Sequence, residues 1–544
     1  MRIRPRRALA ATLTGLALLL STTACVPDRD DIPSDYITFF GGEPQNPLLT
    51  TNTNEVQGGE VLRAMYTGLV GYSPDGEPYN AVAEDIEPND DSSSFHVTLK
   101  DGWTFTNGEP VTSASFIDAW NFGATSANAQ LGADFFSAIE GYDDVAGEDT
   151  TATEMSGLTE INDHEFTVDL SAPDASFPTQ LGYYAFSPLP QVAFDDIDAF
   201  GQHPIGNGPY MLDGDDAWQH NVSIQLKANP DYVGDDKAQN PGIAFKHYAD
   251  VATAYADLQS GDLDHMRENV GPRALPSYRA DFPDSNDDAP YAAIQNFTIP
   301  ENLPGFQTDE EGRLRRAAIS MAIDRDLIID KLFFGGRQVA EDFGAPTLEG
   351  GIADVPGKEV LTFQPDKARE LWEKANEIKP YSGESFQIAY NADGGHQQWV
   401  EGVTNSIRQV LGIKASGKAY PTFQAQRDAI VNRTVGSAFR SGWNADYPSI
   451  SSFLVSNYRT GGGSNDGDYS NPEFDKLLAQ ASSSPDSEAA QAYYDEAQAV
   501  LMEDLPQIPL WYYAATTAWD PGLHNVETNW QGMPVYTEIT KDGE

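Results

Sequence analysis

Residues 439–454 read Phe-Arg-Ser-Gly-Trp-Asn-Ala-Asp-Tyr-Pro-Ser-Ile-Ser-Ser-Phe-Leu, and the rest of the chain is read around them. Residues 439–443 have the form of a short strand. Pro448 ends any regular element, because proline has no N–H and a fixed φ. Arg440 and Asp446 place a cation and an anion within the same segment, and Trp443 and Tyr447 add aromatic surface beside them. A strand edge flanked by one cation and one anion suits a zwitterion in extended conformation, such as a short peptide. Taken alone, the window is equally an ordinary loop with a surface ion pair, an interaction that contributes little.

Outward from that window, the chain is long enough for two or three domains. It has 544 residues, 40% hydrophobic and 11% aromatic, so most of it has cores to bury. The 33 basic and 83 acidic residues leave a net charge of −50. That balance argues against nucleic acid and anionic membrane surfaces as partners, because both need clustered Lys and Arg. It points instead to solubility outside the cell. Many acids fall in polar stretches, 85–91 and 213–216, expected as loops. None forms an EF-hand-type loop with ligands at the required spacing, so no metal and no cofactor is expected.

The start of the chain carries a targeting signal. Arg2, Arg4, Arg6 and Arg7 make a basic region, and residues 8–20 form an apolar run broken by Thr12, Thr14 and Gly15. Residues 21–24 are small. This is the form of a secretory signal, too short for a membrane span. Cys25, the single cysteine, follows at once and has no internal disulfide partner. Its place resembles that of the lipid-modified cysteine of a bacterial lipobox, with Thr22 standing where Leu is usual. The expectation is a signal peptide over 1–24, lipid on Cys25 and a polar tether over 28–35. The protein would be secreted and held by that lipid to the outer face of a bacterial cell membrane. The other reading is a plain signal peptide with a leftover thiol. No later stretch is long and apolar enough to span a membrane, so the mature chain is expected to be globular.

Taken in order, residues 36–40 predict a strand, and apolar Val61, Leu62, Met65 and Leu69 predict a helix over 55–69, before the Ser-Pro-Asp-Gly turn at 73–76. Residues 95–99 and 103–105 predict a hairpin turned at 100–102. A helix follows over 111–120, capped by Thr112 or Ser113. The Gly-rich stretch at 205–210 is not a phosphate loop, because it lacks the Lys-Ser/Thr end and carries Pro209. Helices are predicted over 252–258, from 313 to 325, over 326–334, 365–378, 399–411, 423–430, 471–479 and 488–502. Strands are predicted over 165–170, 223–227, 386–390 and 508–513, the last at a sheet edge or with Pro509 among its first residues. Alternating strands and helices give an α/β class with more than one domain. No internal repeat or long linker is visible, so the lobes should pack closely or be joined by crossing strands.

The chemistry of catalysis is thin. No His-Glu-x-x-His pair or close His cluster suggests zinc, and no Gly-x-Ser-x-Gly elbow suggests a serine hydrolase. A pair of catalytic carboxylates stays open with so many acids. The pattern favours binding over an enzyme.

The motifs, taken together, resemble a known family. Tyr66-Thr67-Gly68-Leu69-Val70, the turn at 74–76, and the run from Phe95 to Thr112 look like the signature of family 5 solute-binding proteins, the oligopeptide and dipeptide receptors of ABC importers. Residues 206–210, 229–232, 261–264, 315–317, 322–325, 470–475 and 508–510 match in the family's order. The resemblance implies a bilobed α/β fold of the periplasmic-binding-protein type, with an additional third domain and a ligand cleft between lobes. The first lobe would be discontinuous over 25–65, 190–297 and 514–544. The extra domain would span 66–189 and the second lobe 298–513. A hinge motion would close the lobes on the ligand. Short peptides and an ABC permease are the implied partners, for a protein acting as a monomer.

The opening stretch carries the most specific part of the resemblance. It implies that Asp446 takes the ligand's α-ammonium, while backbone groups of Gly442 and Asn444 pair with the peptide as an added strand. Trp443 would wall the site or belong to the core. Arg440 would meet the α-carboxylate of a short peptide, or pair with an acid such as Asp446. His396 would serve a longer peptide, or be a surface histidine. Asn54 to Val56 aligns with the opposite ladder strand. Tyr513 is a further candidate, otherwise core, and Asp324-Arg325 reads as a structural pair. The same receptor fold binding an oligosaccharide or another solute is the alternative ligand class, and a secreted hydrolase the alternative of another kind.

Overall fold

The computed structural model describes residues 32–147, 150–267, 269–349, 351–485 and 487–543. The expected signal sequence and Cys25 lie outside these residues. Two strands, Asn286–Thr298 and Gln507–Trp519, are each 13 residues long and pair antiparallel within a 12-stranded sheet. On one flank, Asn286–Thr298 pairs with Ala438–Asn444, which meets Phe386–Asn391 in parallel, and that strand meets Ala415–Tyr420. On the other flank, Gln507–Trp519 pairs with His265–Met266. The sheet continues through Ile37–Gly41, Gly242–His247, Ser223–Ala228 and Tyr210–Leu212. Ala83–Pro88, Ser94–Leu99, Glu165–Asp169 and Leu158–Asn162 form a separate antiparallel sheet in that order.

Burial explains the difference in pattern. Residues 291–298 read Tyr-Ala-Ala-Ile-Gln-Asn-Phe-Thr, and all are buried. A strand covered on both faces has no solvent side to impose alternation. Ser94–Leu99 instead buries Phe95, Val97 and Leu99 and leaves the residues between them part-exposed. Gln397–Leu411 buries Trp399, Val400, Val403, Ile407 and Val410 along one stripe and ends at Gly412, whose φ of 67° favours glycine. Each such aliphatic side chain contributes about 1.5–3 kcal/mol by leaving water. One hydrophobic core gathers Ile294, Phe297, Ile388, Val403, Leu454 and Trp511. Another gathers Phe39, Leu62, Trp120, Phe186 and Phe245. The two long strands run from the first of these to a smaller cluster where Ala518 packs with Met266 and Tyr278.

Three expectations are corrected. Residues 103–105 do not return as the second strand of a hairpin. Ser94–Leu99 has both edges occupied, by Ala83–Pro88 and Glu165–Asp169, and Trp103 turns onto Tyr232 with ring centroids 5.5 Å apart. Of the two readings of Pro509, the edge strand is the one corrected: it is the third residue of Gln507–Trp519, which has Asn286–Thr298 on one side and Gln338–Val339 and His265–Met266 further along on the other. A register shift lies beside Pro509, and its carbonyl accepts from Arg325 Nε at 2.9 Å rather than from a neighbouring strand. Asp324 and Arg325 are structural, but not as a pair. Asp324 caps Arg325–Phe333 by accepting from Leu327 N at 3.1 Å, while Arg325 donates to the Ser320 carbonyl at 3.0 Å.

Candidate functional site

Ala438–Asn444 presents two unlike edges. One is laddered to Asn286–Thr298 from Phe439↔Thr298 to Asn444↔Ala293. On the other edge only Ala438 and Phe439 meet Phe386–Asn391, and no described strand pairs with residues 440–444 there. Gly442 and Asn444 are exposed. A Cβ on Gly442 would sit 2.9 Å from the Ile294 carbonyl oxygen, so the close approach of the two strands needs glycine.

Beyond the strand the chain turns. Ala445 N donates to the Ala292 carbonyl at 2.8 Å. The buried Ser452 hydroxyl, in the first turn of helix Ser451–Tyr458, then receives Asp446 N at 3.0 Å and Trp443 Nε1 at 3.3 Å. That leaves the Ser452 proton for Asp446 Oδ2, 3.5 Å away. Pro448 lies against the turn at Gly76, whose φ is +91°. Trp530 N donates to the Pro74 carbonyl at 2.8 Å, and Gln531 Nε2 to the Ala445 carbonyl at 3.1 Å. The segments around 74, 445 and 530 are thereby tied together.

The Asp446 carboxyl has no ion pair within 4 Å among the described residues and faces a wall of tyrosines. Burial pushes it up to about 7, against the opposing pull of the more distant Arg63 and the Ser452 hydroxyl. Part of its surface stays open, but the surrounding atoms are largely aromatic. Tyr72, Tyr183, Tyr184 and Tyr447 all feel its charge, and burial raises each phenol above its usual range. They are neutral at neutral pH, so Asp446 and Arg63 are the charges that face each other there. Arg63 belongs to helix Val56–Met65, and its guanidinium lies over the Tyr184 ring at 4.8 Å. The Tyr183 hydroxyl donates to that of Tyr184 at 2.9 Å, which fixes the wall.

The other expected residues lie apart from Asp446. Arg440 does not pair with it. Its Nε donates to Asn391 Oδ1 at 3.1 Å, and its guanidinium lies over Phe423 at 5.4 Å. His396 stands just before helix Gln397–Leu411 and accepts from Trp399 Nε1 at 3.1 Å through Nδ1. Arg440 and His396 thus gather at the C-terminal end of Phe386–Asn391. Tyr513 is half-buried rather than core. It donates to Gln295 Oε1 at 2.6 Å, and Arg337 lies over its ring at 4.2 Å. Asn54 to Val56 is not a strand. Glu55 is the N-cap, accepting from Gly58 N at 2.8 Å, and Val56 opens the helix. A carboxylate capping three residues downstream commits this backbone to the helix start. Cys25 lies outside the described residues.

Sequence reasoning missed Arg63, Tyr72, Tyr183, Tyr184 and Ser452. Gly58-Gly59 inside a helix was the available signal. A Cβ on Gly59 would come within 3.0 Å of Arg63 Nη1 and 3.2 Å of the Tyr184 ring. The glycine makes room for that stack, at about 1 kcal/mol of helix propensity.

An open strand edge, an enclosed acid facing a cation across aromatic surface, and cores joined by paired strands define a solute receptor of mixed α/β fold. The profile of the bacterial extracellular solute-binding proteins, family 5 Middle, matches residues 77–465, and the chain belongs to that family. The oligopeptide-binding protein OppA of Bacillus subtilis (strain 168) is 24% identical over 491 residues, covering 87% of this chain and 86% of its own. The periplasmic murein peptide-binding protein MppA of Escherichia coli (strain K12) is 26% identical over 544 residues, covering 96% of each. Among solved structures, Haemophilus influenzae OppA in complex with RPPGFSPFR superposes with a TM-score of 0.78 at 21% identity, covering 93% of this chain and 99% of that one. These relatives are binding proteins. No described helix is long and apolar enough to cross a membrane.

Proposed function

We propose that this chain captures short peptides outside the cell and hands them to the permease of an ABC importer, without chemical change. The observation that carries the reading is the open edge of residues 440–444 ending at the enclosed Asp446. A peptide laid along that edge forms an added strand with the backbone of Gly442 and Asn444. Main-chain pairing gives affinity without reading side chains. Its α-ammonium meets Asp446, the acid of the tyrosine wall, which has no ion pair within 4 Å among the described residues. Its α-carboxylate meets Arg440 in a short peptide and His396 in a longer one. Trp443 lines the site from the strand, and Tyr513 holds Gln295 beside it. The ladder partner opposite is the backbone from Asn54 to Val56, extended at Glu55, rather than a regular strand.

In this reading the lobes follow the boundaries 25–65, 190–297 and 514–544 for the first, 298–513 for the second, and 66–189 for the extra domain. Cys25 carries the lipid that holds the monomeric receptor to the membrane. Support comes from the family and from relatives whose names are those of peptide-binding proteins.

Calorimetry with a tripeptide and its N-acetylated form tests the reading. Acetylation removes the ammonium and is expected to weaken binding at least roughly 100-fold, about 3 kcal/mol, because it leaves a buried charge without its partner. Equal affinity for the two forms would sink the proposal. Native mass spectrometry of ligand carried through purification identifies an oligosaccharide, if that is what the protein holds. Cys25→Ser is expected to release the protein into the medium.

A further inference from the structure

The Asp446 site contains a second charge that a peptide ammonium does not satisfy. Arg63 has no carboxylate within 4 Å among the described residues, and its guanidinium rests on the Tyr184 ring at 4.8 Å. It acts on Asp446 at a distance, without a bond between them. The two charges bear on the same tyrosines, Tyr183 and Tyr184, from different segments of the chain. The electrostatics follow simply. An ammonium beside Asp446 cancels that acid and leaves Arg63 facing a second cation across an aromatic wall of low polarity, with Glu55 the other acid that acts on the Tyr184 ring. Like charges held in such surroundings repel strongly, and opposite ones gain accordingly. A ligand that carries a carboxylate a few bonds from its ammonium leaves neither protein charge alone.

We infer that Arg63 is a specificity-determining residue that selects ligands with a carboxylate close to the free ammonium, above all peptides whose first residue is Asp or Glu. The inference rests on Asp446 as the ammonium site. The local build supports it. Gly59 clears the room in which Arg63 lies on Tyr184, and the Tyr183 hydroxyl bonded to Tyr184 at 2.9 Å holds that ring in place. A planar guanidinium fixed face-on to an aromatic ring keeps its N–H edge free for bidentate carboxylate recognition.

Calorimetry at pH 8 with the tripeptides Glu-Ala-Ala and Gln-Ala-Ala provides the test, since the two differ only in the charge. The wild type is expected to prefer the Glu peptide by about tenfold. Arg63→Met should abolish or reverse that preference, while Arg63→Lys retains part of it. Asp446→Asn should weaken both peptides strongly. Equal wild-type affinity for the two peptides, or an unchanged ratio in Arg63→Met, overturns the inference. Equal loss of both peptides in Arg63→Met also overturns it, because that result marks Arg63 as only a counter-ion to Asp446. The wild-type ratio needs no variant, so a misfolded Arg63→Met leaves the test intact. If neither peptide binds, or Asp446→Asn leaves both unchanged, the peptide reading itself fails, and that outcome is distinct from equal binding of the two.

Discussion

The two charges that bracket Ala438–Asn444 are held in opposite ways. Arg440 is satisfied at rest, bonded to Asn391 and laid over Phe423. Asp446 is not, having only a weakly placed Ser452 hydroxyl and a distant cation. One end of the strand is therefore near its energy minimum before any ligand arrives, and the other is not. A charge kept in that condition destabilises the empty protein and gains most from a partner. A cation already bonded to a neutral amide gains less.

Asp446→Asn has the largest expected effect, because it removes the unsatisfied member. Peptide affinity should fall at least roughly 100-fold, while the ligand-free protein becomes more stable at pH 8. A thermal melt and a calorimetric titration of the same preparation check both halves. A variant that binds normally would erase the contrast.

The next effect is of pH. The folded Asp446 carboxyl, at about 7, lies above its unfolded value, so the folded chain binds the extra proton between about pH 4 and 7. The group's favourable contribution to stability is present at low pH and fades as pH rises toward 7. Ligand capture runs the other way, since the ammonium needs the carboxylate. Of the titratable groups around it, Tyr72, Tyr183, Tyr184 and Tyr447 stay neutral across this range. Affinity is expected to fall by up to roughly tenfold per unit below pH 7, with proton release on binding near pH 6.5. Titrations in buffers of different ionisation enthalpy measure that release, and a flat profile would place the ammonium elsewhere.

Gly442→Ala acts on the edge between the two charges. Its Cβ would press on the Ile294 carbonyl at 2.9 Å, so the ladder must shift, at about 1–3 kcal/mol of stability. A lower melting temperature with peptide affinity reduced at both ends of the strand is the expected result. Arg440→Ala has the smallest effect, a loss of about 1 kcal/mol or less in tripeptide binding. C-terminal amidation of the peptide should remove that loss. A larger loss in Arg440→Ala than in Asp446→Asn would invert the comparison.

Much of this architecture was legible from the residues. The strand before Asp446, the turn at Pro448 and the capped helix after Thr112 all follow from local chemistry. The α/β class followed from alternation. What escaped were relations that no window contains. Arg63, Tyr183 and Tyr184 come under the charge of Asp446 only because the chain returns to one region from distant positions, and their own segments read as helix and loop. Ser94–Leu99 was assigned the nearer partner, although the strands at 83–88 and 165–169 compete for the same two edges. Pro509 left two readings open, and only the edge strand fails. The rule against proline in a central strand is a statement about one N–H, and near the start of this strand the Pro509 carbonyl meets the Arg325 side chain rather than a ladder partner.

The two long strands have a mechanical consequence. Between Pro290 and Ile294, and again at Gln295, their register slips, while the flanking residues remain laddered. Such a ribbon bends at its slips and is stiff elsewhere. The joint between the cores is therefore a leaf spring rather than a loose tether. A protease needs a length of unpaired chain to grip, and this joint offers none. Digestion should strip peripheral loops before it parts the two halves.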